Sequence, residues 1–316
     1  MSVAVIIMSV KKPSGYYVKL TCYLDIKPSH LNHSINMKHK EAIVYIDKNG
    51  RVIESSGEPL PIYSITKTFI AAAIMAMNIN LSKRISAWFD RTLVPRGDDI
   101  AVEQLLNHTS GLRDYGNLPA YNNAVSTHQP VWSDDEFADH TLRLPLLFEP
   151  GAGWSYSNSG FWLLSQIAQH ESGLDFDGII KRYITGPLEL HKTSVAHGIF
   201  SDLLPEYPAE WVWHGLLISS AEDVARFMAS ELVQPLATSL VKVPFDHPLW
   251  VSPHYGYGLM VEPGVLFGHA GGGPAYNTAC FTFISDGCTI CVLLPSEQEW
   301  AAFRHLRSVW EIRRNA

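Results

Sequence analysis

The chain is poor in charge and in cysteine. Charged residues make up 17% of its 316 positions, while hydrophobic residues reach 47%. That balance excludes a disordered chain and allows a sizeable core. Lysine and arginine total 24 against 31 acidic residues, a formal net charge of -7. With no basic stripe, nucleic acid is excluded as a partner. No apolar run approaches the roughly 20 residues needed to span a bilayer, so no membrane partner is expected. The opening MSVAVIIMSVKK carries its lysines after a short apolar run, not before it, which is not the order of a secretory leader. The sequence therefore reads as cytoplasmic. The four cysteines, Cys22, Cys280, Cys288 and Cys291, form no paired Cys-x-x-Cys knuckles. They read as small buried apolar residues in a reducing compartment, not as zinc ligands.

Familiar catalytic signatures are missing as well. There is no Gly-x-Ser-x-Gly elbow, which excludes an α/β-hydrolase. His170-Glu171 lacks the second histidine of a zincin. His30, His33 and His39 are only a loose cluster near the N-terminus, and no phosphate loop or dinucleotide fingerprint is present. Neither metal nor cofactor is expected. A chain of this length suggests one large domain or two interleaved lobes.

What is present has a clear order. EAIVYIDKNGRVIES reads as two strands around an Asn-Gly turn. SITKTFIAAAIMAMNI follows, apolar on nearly every face, as a helix buried at the centre of a protein is. From 81 to 213, helix-like patterns alternate with Pro- and Gly-punctuated loops. SSAEDVARFMASEL opens another helix, with Ser219 or Ser220 as its cap. Beyond Tyr255 the pattern returns to strands, with an Asp-Gly hairpin signal in ISDGCT, and ends in the helix-like EQEWAAFRHLRSVWEIRR. Strands at both ends with helices between them predict an α/β lobe formed by 1–80 and 215–316. A mostly helical lobe, 81–214, is inserted into it, with the active site between the two.

Three constellations carry chemistry. Ser64-Ile65-Thr66-Lys67 places a hydroxyl and an amine three positions apart on a helix, with Cβ atoms about 5–6 Å apart. Ser64 stands at the helix start, just after Pro59 and Pro61, where unpaired amides and the positive dipole end favour an anionic reaction centre. A burial-lowered Lys67 acts as a neutral base, or stays charged and tunes a neighbour. Two other Ser-x-x-Lys copies exist. One, Ser9-Val10-Lys11-Lys12, lies at the terminus, and the other, Ser239-Leu240-Val241-Lys242, runs into a Val-Pro segment that does not continue a helix. Tyr156-Ser157-Asn158 lies between the turn EPGAGWS and the helix-like FWLLSQIAQH. A phenol becomes a base only beside a positive charge, which Lys67 supplies, and Asn158 offers an amide to a substrate carbonyl or to the lysine. A rival Tyr121-Asn122-Asn123 has no Pro-Gly turn before it. Last comes His269-Ala270-Gly271, followed by Gly272-Gly273-Pro274. Glycines in a strand mark close approach of a ligand or another backbone, and such an edge can aim an amide at a developing oxyanion.

In this order, these motifs resemble the serine β-lactamase and penicillin-binding-protein superfamily, specifically its class C β-lactamase, D,D-peptidase and esterase branch, including family VIII-like esterases. EQLLNHTSGLRDYG, FEPGAGWSYSNSGFWLL, WHGLLISSAEDVARF and GHAGGGPAY extend the resemblance over roughly 42–295. The resemblance implies a β-lactamase-like α/β fold, an antiparallel sheet flanked by helices with the helical lobe inserted. It implies Ser64 as acylated nucleophile, with Lys67 and Tyr156 as its proton-handling partners. It also implies an oxyanion hole from the backbone amides of Ser64 and Gly272, and substrate contacts from Asn158, His269, Ala270 and Gly271. His108 of the Asn-His-Thr segment is expected to be structural. The resemblance departs from β-lactamases at His269-Ala270-Gly271, where they carry Lys-Thr-Gly. Histidine near neutral pH is mostly uncharged, so a neutral ester or amide is expected to suit the pocket better than a β-lactam. The resulting expectation is a carboxylesterase-like serine hydrolase for small esters or amides. The alternatives are a D,D-peptidase, a D-aminopeptidase or a weak β-lactamase, and, outside catalysis, an acylated sensor or a scaffold without turnover.

Overall fold

The computed structural model describes residues 9–11, 17–19, 41–198 and 207–314. Cys22, His30, His33 and His39 lie outside the described residues. The strands are β1 (Ser9–Lys11), β2 (Tyr17–Lys19), β3 (Ala42–Ile46), β4 (Val52–Ser55), β5 (Leu60–Pro61), β6 (Thr193–Val195), β7 (Leu217–Ser219), β8 (Val241–Lys242), β9 (His254–Tyr255), β10 (Met260–Glu262), β11 (Leu266–Gly273), β12 (Tyr276–Phe283) and β13 (Thr289–Pro295). The helices are α1 (Thr66–Ala76), α2 (Val102–Leu106), α3 (Pro119–Ser126), α4 (Asp134–His140), α5 (Asn158–Ser172), α6 (Phe176–Ile180), α7 (Ala221–Met228) and α8 (Ala301–Arg314).

The main sheet has eight strands in the order β4-β3-β13-β12-β11-β10-β9-β8, all pairs antiparallel. Its hairpins follow from local chemistry. The Asp47 carboxylate accepts from the amides of Asn49 and Arg51 and closes the β3–β4 turn. Asp286 accepts from the Cys288 amide between β12 and β13. Period-2 alternation sends neighbouring side chains to opposite faces. Cys280, Cys291 and Leu293 join the core that contains α7 and α1, while Phe281, Ile290 and Val292 join a second core under α8. Both faces are covered, so β12 and β13 carry buried apolar side chains on each face. Cys280, Cys288 and Cys291 are buried and free.

Helix α1 is buried from Thr66 to Ile74, and Phe69 stacks on Phe227 of α7 with ring centroids 3.7 Å apart. Ser220 caps α7 by accepting from the Asp223 amide. Between 81 and 192 the described regular elements are helices and helical turns. Strand β6 then pairs with β7, which also pairs with β5, giving a three-stranded sheet beside the start of α1. The rival Tyr121-Asn122-Asn123 lies inside α3, with the Tyr121 hydroxyl 2.8 Å from that of Tyr207. Ser239 precedes the short strand β8 and opens no helix. Among the described residues, no helix is long and apolar enough to cross a membrane.

Candidate active site

Ser64 sits on a sharp turn held from three sides. The Ile62 amide donates to the Leu217 carbonyl at 2.9 Å, and the Leu217 amide donates to Thr66 Oγ1 at 3.3 Å. From β12, Thr278 Oγ1 donates to the Ile62 carbonyl at 3.1 Å. Tyr63 adopts a left-handed backbone, φ 45°, at a cost of about 1–3 kcal/mol for a non-glycine residue. Its hydroxyl donates to the Pro274 carbonyl at 2.6 Å, and its ring lies where a side chain on Gly273 would be. The 3-10 turn Tyr63–Ile65 then runs into α1, so Ser64 stands at a helix entrance.

Lys67 lies one turn on and is wholly buried. Its Nζ donates to Ser64 Oγ at 3.0 Å and stands 5.0 Å from the centroid of the Tyr156 ring. It also stands 3.2 Å from His214 Nε2. Burial holds the Lys67 ammonium well below the usual lysine range, and the Asp114 carboxylate acts in the opposite direction. A neutral amine within reach of a serine hydroxyl is a competent base.

Tyr156 and Asn158 are brought to this point by the start of α5. Ser157 caps that helix, accepting from Gly160, and its own amide donates to His108 Nδ1 at 3.2 Å. The Asn158 amide and its Nδ2 both donate to Asp114 Oδ1 at 2.9 Å. Sequence reasoning placed Asn158 against substrate or Lys67. It does line the cavity, but its carboxamide is oriented by Asp114. Burial raises the Asp114 pKa, opposed by these Asn158 hydrogen bonds and by Lys67.

Strand β11 forms the facing wall. A Cβ on Gly271 would lie 2.5 Å from the Ile62 carbonyl and 3.0 Å from the Ser64 amide nitrogen. Strand and turn thus approach as closely as glycine permits. Ala270, Gly271 and Gly272 all line the cavity, which brings the Gly272 backbone to the same opening as Ser64.

His269 corrects the expectation of a side-chain contact with substrate. It is wholly buried and does not line the cavity. Its Nε2 is 2.8 Å from the Tyr255 hydroxyl and its Nδ1 2.5 Å from the Ala270 carbonyl oxygen. Strand alternation turns it to the covered side, and burial, with Lys67 adding to it, pushes its pKa down to about 3. His108 is also buried, its ring 4.3 Å from that of Tyr156 and 4.5 Å from that of Tyr255, and it too does not line the cavity.

The opening is a cavity of about 340 Å³. Trp154, Phe245, Trp250 and Trp300 supply aromatic wall, while Asp114, Glu297 and Glu299 supply carboxylates. Among the described residues, no lysine or arginine lines it, and no group of His, Cys, Asp or Glu there could hold a metal ion. Asp114, His214 and Thr278 were not singled out from sequence. Asp114 and His214 fall inside the quoted segments, but nothing in their spacing ties them to Asn158 or Lys67.

A Ser-x-x-Lys helix start, a Tyr-x-Asn loop and a glycine-rich strand edge thus meet at one opening beside an antiparallel sheet. That arrangement defines an active-site-serine protein of the penicillin-recognising class. The Beta-lactamase family model matches residues 39–312, and the chain belongs to this family. It is 24% identical to penicillin-binding protein 4* of Bacillus subtilis over 75% of this chain and 60% of that protein. It is 23% identical to a D-aminopeptidase of Cereibacter sphaeroides over 80% of this chain and 53% of that one. The chain therefore spans little more than half the length of these relatives. Among solved structures, the D-amino acid amidase of Ochrobactrum anthropi SV3 shares the fold with a TM-score of 0.68 at 21% identity, covering 86% of this chain and 92% of that one.

Proposed function

We propose that this chain is a serine hydrolase that cleaves amides of D-amino acids bearing a free α-ammonium group, through an acyl-Ser64 intermediate. One observation carries the substrate class: among the described residues, the wall of the cavity beside Ser64 includes Asp114, Glu297 and Glu299 and no lysine or arginine. Such a wall attracts a cationic substrate and repels one with a carboxylate, as a β-lactam has. The relatives named for D-aminopeptidase and D-amino acid amidase activity support the D configuration and the amide bond. The carboxylesterase-like reading gives way to its D-aminopeptidase alternative on these grounds.

In the proposed reaction Ser64 Oγ attacks the amide carbonyl while its proton passes to Lys67 or, by way of Lys67, to Tyr156. The carbonyl oxygen takes up negative charge facing the amides of Ser64 and Gly272. As the C–N bond breaks, Tyr156 gives a proton to the departing amine, the serine proton itself or its own, which Lys67 then replaces. Water then attacks the ester under the same base, releasing the D-amino acid and restoring the Ser64 hydroxyl. Asn158, held by Asp114, orients substrate. Ala270 and Gly271 present backbone to it, and His269 supports the strand from behind.

The test compares turnover of D-alanine p-nitroanilide, its L enantiomer, its N-acetylated form and p-nitrophenyl acetate by the native protein and Ser64→Ala. Multiple turnover of the D anilide is expected, at least about tenfold above the L and acetylated forms, and lost in Ser64→Ala. Turnover of the acetate ester alone would return the esterase reading. A single stoichiometric burst would indicate an acylated sensor, and no reaction a scaffold.

A further inference from the structure

We propose that His214 is a positioning residue for acylation: its Nε2 accepts a hydrogen bond from Lys67 Nζ and so turns the lysine's lone pair toward Ser64. The inference rests on the reading of Ser64 and Lys67 as nucleophile and base.

His214 lies between the helical turn Ala209–Trp211 and β7, far along the chain from α1, yet its Nε2 is 3.2 Å from Lys67 Nζ. It is 3% exposed and does not line the cavity, so it cannot touch substrate directly. Its Nδ1 is buried with no hydrogen-bond partner among the described residues. The contact fits either ring tautomer of His214, and we place the proton on Nδ1. Nε2 then accepts from Lys67 both as the amine and as the ammonium formed in the step, whereas a protonated Nε2 would pair only with the amine's lone pair and would set two donors against each other once the ammonium forms. The unpaired Nδ1 hydrogen that this leaves in the interior costs stability.

The consequence for Lys67 is directional. As a neutral amine it has two hydrogens and one lone pair. Pointing the lone pair at His214 would oppose two acceptors, so that orientation is removed and a hydrogen goes there instead. The lone pair is then left to the side where Ser64 Oγ stands 3.0 Å away. In the step itself, the Ser64 O–H bond breaks and its proton joins the Lys67 lone pair. The serine oxygen's electrons form the bond to the acyl carbon. The new ammonium then donates to both Nε2 and its next proton acceptor, Tyr156 or the leaving nitrogen. The other titratable groups packed around the pair are Asp114, Tyr156, His108 and His269. Lys67 depresses both buried histidines, and burial keeps His214 in its neutral form.

The test measures the rate of Ser64 acylation by p-nitrophenyl acetate across the acidic limb of the pH profile, in native protein, His214→Phe and His214→Gln. Phenylalanine keeps the volume and removes the acceptor, whereas glutamine restores an acceptor at the reach of Nε2. In His214→Phe the plateau is expected to fall on the order of 100-fold with KM unchanged. The acidic limb is expected to move to lower pH, because a neutral acceptor stabilises the ammonium more than the amine. His214→Gln is expected to recover both. If His214→Phe does not fold, His214→Asn, too short to reach Lys67, takes its place. A native plateau in the acceptor-free variant overturns the inference. So does a fallen plateau with an unmoved limb and no recovery in glutamine, which would mark a packing role. Ser64→Ala that still forms acyl-enzyme would instead refute the reading of Ser64, and this inference would fall with it.

Discussion

Lowering the pH from 7 to 5 is expected to weaken the fold through its buried histidines, and His269 allows the size to be worked out. Its ring is wholly buried and its folded pKa lies near 3, against about 6.5 for a free histidine. At pH 7 the unfolded chain holds the proton only about a quarter of the time, and the folded protein does not hold it. At pH 5 the unfolded chain binds it almost completely while the folded protein does not. A depressed folded pKa contributes stability above the unfolded value and loses it as pH falls. The loss begins near the unfolded pKa and continues until the folded pKa is reached. With about 1.4 kcal/mol per pH unit over the 1.5 or so units below 6.5, the loss at pH 5 is about 2 kcal/mol from this residue alone. His108 and His214 are depressed in the same direction, by burial first and then by Lys67. The assay is urea unfolding at both pH values for the native protein and His269→Gln, which keeps a hydrogen-bonding group but cannot titrate. The variant is expected to be less stable at pH 7, and its stability difference between pH 7 and 5 smaller by about 2 kcal/mol. An equal difference in both proteins would mean that His269 titrates alike folded and unfolded, and would refute the burial argument.

Two further outcomes test the packing. Gly271→Ala is expected to lower kcat on p-nitrophenyl acetate by about 100-fold, because its methyl must displace the Ile62 carbonyl or the Ser64 amide. In Gly272→Ala the new Cβ meets only Asn277 Nδ2, at 3.5 Å, and stability should change little; the reverse ranking of kcat would refute the assigned geometry. Phe303→Ala in α8 is expected to cost about 3–5 kcal/mol in urea unfolding, since Phe303 is wholly buried between Trp250 and Phe281, with centroids 5.0 and 4.8 Å away.

Much of the fold was legible wherever the signal was local. Asp47 and Asp286 set their hairpins through bonds to amides two to four residues on, and Ser220 caps α7 through a bond three residues on. The buried α1 announced itself by being apolar all round. Ser64 and Lys67 lie three positions apart across the helix start, which makes them neighbours, and their contact is 3.0 Å. Contacts made across the chain were not legible. His214 is 147 positions from Lys67, and Asp114 is 44 from Asn158; tertiary packing brings each pair together, and periodicity does not encode it. The sheet of β5, β7 and β6 was missed because strands of two or three residues are too short to show alternation. His269 was placed in the right strand but on the wrong side. A one-residue difference in facing reverses a side chain's surroundings, and the His-Ala-Gly-Gly-Gly run has too few side chains to reveal which face is covered.

The position of His269 also gives the electrostatics of the centre its logic. β-Lactamases of this kind carry a lysine there, which would place a permanent cation near Lys67. In this chain the position is neutral, as are His108 and His214, and Lys67 is the single basic amine buried beneath Ser64. Each histidine that took a proton would raise the cost of protonating Lys67, and an ammonium at Lys67 in turn holds the histidines neutral. The cluster therefore competes for very few protons. On the proposed reading, that sparseness complements the carboxylates of the cavity wall. A substrate that brings its own ammonium meets Asp114, Glu297 and Glu299 without a fixed cation among the cavity-lining side chains. Placing a lysine at 269 would put a desolvated charge against Tyr255 and within electrostatic reach of Lys67. It would raise the energy of the folded state and repel the substrate's ammonium at once, so the neutral residue at 269 and the acidic wall serve the same substrate preference.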